Sequence, residues 1–264
     1  MREVDFNIYK KLSVDGSISK SVISKSVFKS NSFQNLLDAE ILEITKVGRG
    51  LKVIVNKKTD FGNFFKTNFP NEVTNKSKAG NIKKYRNSKG TSIKLPPIFM
   101  LRGFKTFVIN EQQVDLKMNT TKFGLFSVIP KSIIADKICF VENLESFLNA
   151  EKLLGIDYLY AHKYGRIGKK SISKIQAKEV LVFVDYDFNG LDEFLRIKEV
   201  FANAKLYMPE NYDELFNDYS FNLSENKAKM SKKVINSKDP IVIKIREQVA
   251  RSNRFLEQEI LIDV

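Results

Sequence analysis

Apolar residues in this chain fall into short runs, and each of the clearest runs ends in acidic or polar residues before helical spacing begins. Residues 180–184, VLVFV, are long enough for a buried strand and too short for a typical helix. The run ends in Asp185-Tyr186-Asp187 and passes Asn189-Gly190. Leu191, Phe194, Leu195, Ile197, Val200 and Phe201 then recur at helical spacing, so the stretch predicts strand, turn and helix. Residues 137–141, KICFV, repeat the pattern: they run into Glu142-Asn143, and Leu144, Phe147, Leu148 and Leu154 mark a following helix. Residues 158–162 and 205–208 supply a third and a fourth strand. Strands alternating with helices predict an α/β fold with a mostly parallel sheet. In such sheets ligands and chemistry collect at the carboxyl ends of the strands.

The N-terminal pattern differs. Phe6, Ile8, Tyr9 and Leu12 mark a helix that stops at Asp15-Gly16, and Ser17-Ile18-Ser19 is expected to start a second helix around Val22 and Ile23. A third helix is expected over residues 32–39. Two strands, 41–45 and 51–55, follow, joined by a turn that holds Gly48 and Gly50. Residues 2–58 therefore read as a small winged helix-turn-helix, with Arg49 and Lys52 putting positive charge on the flank of the wing. The same layout also suits a module that only packs against a partner protein.

Between the two patterns lies a basic stretch, residues 75–90, with only Ile82 and Tyr85 to bury. Lys83, Lys84 and Arg86 there are candidate phosphate contacts, and the composition equally suits a solvated linker. Residues 93–129 are rich in Phe, Val and Ile and broken by Pro96-Pro97, Gly103 and Gly124. They read as short strands that join the C-terminal sheet. The expected division is residues 1–74 as the winged-helix domain, 75–92 as the linker and 93–264 as the α/β domain with its C-terminal helical tail.

Charge sharpens the picture. The 264 residues carry 44 Lys and Arg against 31 Asp and Glu, a net charge of +13, which favours a polyanionic partner. No apolar run approaches the roughly 18 residues of a membrane span, and the first residues lack a signal-peptide core. The single cysteine, Cys139, lies inside an apolar strand, so no internal disulfide forms and a cytoplasmic setting is expected. His162, the only histidine, ends a strand with no cluster around it, which argues against zinc. The segment after residue 224 predicts a helix over 240–260 with Pro240 at its start, on which Glu257 and Glu259 do not share a face.

Asp185 and Asp187, two apart on an extended backbone, are expected on one side of the strand end, an arrangement suited to Mg2+ or Mn2+. A strand ending in Glu142 and, about forty residues later, a strand ending in DYDFNG at 185–190, with a helix after each, resembles the Toprim domain of topoisomerases, primases and some nucleases. That resemblance covers roughly residues 136–210. VEN at 141–143 and LEQE at 256–259 are similar, more narrowly, to the branch of the topoisomerase VI A subunit and the JetD-type nuclease of Wadjet plasmid-defence systems.

The resemblance implies Glu142 as general acid or base, with Asp185 and Asp187 as the chief metal ligands. It also places the LEQE tail at or beside the site, with Glu257 and Glu259 as further candidate ligands. Arg166, Lys169 and Lys170 are expected at the same sheet edge as phosphate contacts. The only tyrosines before the Toprim region are Tyr9 and Tyr85, without the paired Arg and tandem tyrosines of the topoisomerase VI motif. That departure favours hydrolysis over a covalent protein-DNA intermediate.

The expected activity is therefore a metal-dependent endonuclease acting on double-stranded DNA, as a homodimer and as the nuclease subunit of an SMC-type complex. A noncatalytic DNA-binding or assembly protein with a structural Toprim fold is the rival, and an RNA-cleaving Toprim enzyme the third reading.

Overall fold

The computed structural model describes residues 1–71, 77–92, 95–162, 165, 168–224 and 229–262. The chain forms two compact units, residues 1–95 and 96–264.

In the first unit, α1 (Glu3–Asp15) is closed at its start by Asp5, whose carboxylate accepts the Arg2 N–H at 2.6 Å, and at its end by Gly16, in the left-handed region at φ 67°. There follow β1 (Ser17–Ser19), a 3-10 turn at Lys20–Val22, α2 (Lys25–Phe28), α3 (Asn31–Asp38), β2 (Leu42–Val47), β3 (Gly50–Val55), α4 (Lys58–Asn68) and α5 (Lys78–Tyr85). The three strands make one antiparallel sheet in the order β1-β3-β2. The expected second helix at Ser17 is thus a strand: Ile18 turns inward opposite Val53 in register with β3, and helix resumes only after Ser24 caps α2.

The core of this unit is largely aromatic. Tyr9 packs within 5.1 Å of Phe64 and near Phe33 and Phe61, and Phe6 meets Phe69 edge-on at 5.3 Å. Three of these rings belong to α4 or the residue after it, where Phe61, Phe64 and Phe65 recur at helical spacing. Part of the basic stretch expected as a linker is also folded: Tyr85 is buried on Phe6, and Gly90 O accepts the Glu3 N–H at 3.0 Å.

The second unit is α/β with a mixed sheet. It contains β4 (Phe99–Arg102), β5 (Thr106–Ile109), β6 (Gln112–Asp115), α6 (Leu116–Phe123), β7 (Phe126–Val128), β8 (Ile133–Val141), α7 (Leu144–Leu154) and β9 (Leu159–His162). After these come α8 (Lys169–Ile172), β10 (Ile175–Phe183), α9 (Phe188–Lys198), β11 (Lys205–Leu206), α10 (Tyr212–Tyr219), β12 (Phe221–Asn222), α11 (Lys232–Asn236), α12 (Pro240–Ser252) and β13 (Arg254–Phe255). The main sheet runs β11-β10-β8-β9-β4-β7, and β5 and β6 attach at the start of β8. The strands at 99–102, 106–109, 112–115 and 126–128 join the C-terminal sheet as expected, whereas residues 116–123, expected as strand, form the helix α6. The four strands β11, β10, β8 and β9 are parallel; β4 and β7 extend the sheet antiparallel.

The order of these four places the site. From β8 the chain crosses through α7 to β9 on one side, then returns through α8 to β10 on the other side of β8. The strand order therefore reverses between the parallel neighbours β8 and β10, the point at which a crevice forms at the carboxyl ends of such strands. Right-handed crossovers set α7 and α9 on opposite faces. Helix α9 packs with α8, α11 and α12.

Cys139 and His162 are core residues. The Cys139 thiol is fully buried, which pushes its pKa up and keeps it protonated. His162 Nδ1–H donates to Val141 O at 3.0 Å, beside the Phe147 ring. No helix among the described residues is long and apolar enough to cross a membrane.

Candidate functional site

Glu142 follows β8 directly, and its N–H donates to Phe183 O at 3.0 Å, one more rung of the β8-β10 ladder. Asn143 then caps α7 by accepting the Glu145 N–H at 2.8 Å. Across the crevice, β10 ends at Phe183, Asp185 is half-buried and Tyr186 turns into the core, where its hydroxyl donates to Tyr207 O at 3.0 Å. Asp187 is buried and caps α9, accepting the Gly190 N–H at 2.8 Å.

Gly190 has a steric reason. A Cβ built there would lie 2.0 Å from Asp185 O, so only glycine lets the helix start fold back this closely on the strand end.

The three acids expected together are brought together. Crowding by protein atoms, then the negative charges of Asp185 and Asp187, push the Glu142 carboxyl up to about 8, with Glu193 adding a smaller repulsion. Glu142 nevertheless keeps exposed surface. Water therefore limits the desolvation, and the repulsion from the two aspartates is the firmer cause. Only a long contact of 3.4 Å, from the Asp185 N–H to Glu142 Oε2, offsets it.

The C-terminal segment meets this edge by a route other than the expected helix. Helix α12 stops at Asn253, which takes the left-handed conformation at φ 53°, and the chain becomes extended. Leu256 O accepts the Tyr186 N–H at 2.9 Å, and the Gln258 N–H donates to Asp185 Oδ1 at 3.2 Å. The Gln258 amide, oriented to satisfy both neighbours, donates to Phe183 O at 3.1 Å and accepts the Asn143 N–H at 2.9 Å. Glu259 accepts from the Asn143 side-chain amide, and burial raises its pKa. Glu257 opens the 3-10 turn Gln258–Leu261 and stays half-exposed.

LEQE thus buckles the two strand ends together. Its glutamine, absent from the expected set, makes most of the links. The sequence marked the motif but not the residue, because a neutral amide looks inert until its two strand partners are known. Glu193 was likewise unexpected; it and Asp192 are held by Arg196 at 2.6 and 2.7 Å, just behind the site.

The basic candidates scatter. Lys169 pairs with Glu199, the residue just past the C-terminal end of α9, whereas the acids lie at its start; eleven helical residues, roughly 16 Å, separate the two ends. The expectation that Lys169 shares the edge with the acids is therefore corrected: α8 lies just before the start of β10, and a strand parallel to β8 starts at the edge opposite its carboxyl end. Lys170 is exposed on the same short α8, and Arg166 lies outside the described residues. In the first unit Arg49 sits exposed at the β2-β3 turn and Lys52 is exposed on β3. Lys83 is exposed, Arg86 ends α5 at φ 50°, and the Lys84 ammonium lies 4.4 Å from the Phe6 ring centre, where it serves packing.

Among the described residues, no three His, Cys, Asp or Glu side chains form a ready-made cation cage. No protein-family model matches the chain, and no curated protein matches it.

Proposed function

We propose that the chain is a Toprim-like, metal-dependent endonuclease acting on double-stranded DNA. The observation that carries this reading is Glu142 at the β8-β10 crevice, with its carboxyl pushed up to about 8 beside Asp185 and Asp187. Mutual repulsion among carboxylates held this close favours a hard cation with oxygen ligands. Mg2+ is commonly held by one or two carboxylates with water and phosphate oxygens, so a closed protein cage is not needed. Glu142 and Asp185, the more open pair, would hold such an ion, with Asp187 buried behind them as the cap of α9. A bound Mg2+ or Mn2+ supplies charge stabilisation at the phosphate and a more acidic water.

The chain's own residues do the rest. Glu142, with a pKa near neutrality, suits taking or giving a proton at the scissile phosphate. Gln258 and Asn143 hold the strand ends in place. Helices α7 and α9 both start at this edge, and their N-terminal dipoles favour the anionic substrate. The first unit, read as a winged helix-turn-helix from its β1-β3-β2 sheet and helix order, would hold the duplex. The resemblance further suggests a homodimer that works with an SMC-type complex against plasmids.

The test is supercoiled plasmid with Mg2+ or Mn2+, against EDTA and Asp185→Asn controls. Nicked and linear products that vanish in both controls are expected. One observation favours the rival of a structural Toprim fold: Asp187 is already committed to capping α9. Intact plasmid, together with no change in thermal stability on adding Mn2+, would select that rival.

A further inference from the structure

A groove of about 470 Å³ in the first unit lies between the segment 19–29 and the β2-β3 turn. Its apolar part comes from Ile23, Phe28 and Leu51, and its rim from Lys20, Lys25, Lys29 and Arg49. Phe28 is backed by the buried Phe33, with ring centres 5.4 Å apart, so its ring is held in place. The Lys20 ammonium covers its open face, 4.7 Å from the ring centre. None of the four cations is paired with an acid among the described residues. Four like charges around one recess repel one another, and a concave, poorly polarisable wall concentrates their field.

An occupant of this groove must therefore bring anionic charge to the rim and a flat apolar face to the floor. A DNA duplex offers phosphates and groove edges, which are read by elements that protrude into them, while its base faces stay stacked inside. A single strand offers both parts together: phosphates for the cations and a base for the aromatic ring. The volume is within the usual range of small-ligand pockets, enough for a nucleotide or two. We propose that this groove binds unpaired nucleotides of a single strand, with one base displacing the Lys20 ammonium from Phe28 and the flanking phosphates taken by Lys25, Lys29 and Arg49.

The full chain is titrated with a short oligonucleotide carrying 2-aminopurine, in EDTA, so that binding is read without cleavage. The carboxylate site does not enter this test, and Asp185→Asn is expected to bind as the parent does. Quenching of the probe by stacking is expected. Phe28→Leu should weaken binding about tenfold and remove the quench, and Phe28→Tyr should restore both. Lys25→Glu with Lys29→Glu, both exposed, should weaken binding and flatten its salt dependence without touching the core. A blunt duplex held by the first unit should not stack on Phe28; a duplex that displaces the probe as fully as unlabelled single strand does, and whose binding Phe28→Leu weakens to the same extent, would overturn the proposal. So would displacement of the probe by an acidic peptide with Phe28→Leu indifferent, which would mark the groove as a seat for a partner protein.

Discussion

The two strand ends that make the crevice solve the same problem differently. After β8, the cap and the crowded carboxylate are separate residues: Glu142 stands beside the acids of the other strand end and Asn143 caps α7. After β10 the turn is longer, Asp185 faces the crevice, and a second acid, Asp187, is the cap. Three positions into each helix the contrast repeats. Ser146 of α7 is fully buried with no hydrogen-bond partner for its hydroxyl among the described residues, while Gly190 of α9 sits against Asp185 O. The β10 end is sterically locked at Gly190, so a charge there cannot be moved without moving backbone.

The largest effect should come from placing alanine at each of these equivalent positions. Gly190→Ala forces a 2.0 Å contact with backbone and should destabilise by about 3 kcal/mol or displace Asp185, read as a fall in Tm with loss of cleavage. Ser146→Ala, which removes a buried unpaired hydroxyl, should leave Tm unchanged or slightly raised. Equal losses at both positions would erase the distinction between the edges.

Next come the caps. Asp187→Ala and Asn143→Ala should each lower stability by about 1 kcal/mol. Asp187→Asn keeps an oxygen for the Gly190 N–H and should hold its stability, while loss of the negative charge it adds behind Glu142 should slow cleavage. If that variant cuts at the parental rate, Asp187 is a cap and nothing more.

The pH dependence tests the crowding of Glu142. With a folded-state pKa of about 8, above its unfolded value, the native state binds the extra proton between the two. Glu142 therefore lowers stability as pH rises through that window, and the loss is complete above about 8. Glu142→Gln should flatten this part of the Tm profile, whereas Asp185→Asn should lower the midpoint by removing one repelling charge. The stabilisation given by Mn2+ should grow with pH across the same window, because the ion competes with that proton.

The smallest effect is expected from Lys169→Ala. Its pair with Glu199 is solvent-exposed, so the change should be under about 1 kcal/mol, and cleavage should be unaffected because the pair lies at the far end of α9.

Periodicity alone made the main strands and their helices legible. A run such as VLVFV is buried on both faces in a parallel sheet, and the helical spacing after it has no other use. The acids at 142, 185 and 187 were legible for the same reason: polar residues that interrupt two buried strands at their carboxyl ends can only lie at one edge. Residues 17–19 were misread because three alternating residues are too few to show a period, and pairing with β3 decided them. Helix α4 carried a readable spacing at Phe61, Phe64 and Phe65. What its rings pack against, however, depends on Phe6 and Tyr9 of α1, more than fifty residues earlier in the chain.

The sequence by itself determined which residues could be strand or helix and which charges would stand at strand ends, because those follow from local spacing. Tertiary structure decided which ends became neighbours. The order β10-β8-β9 set Glu142 against Asp185, and the return path of the β9-β10 connection carried Lys169 to the opposite edge. The break after α12 laid Gln258 across both strands. Each of these is a contact between residues far apart in the chain, and local spacing holds no information about such pairings.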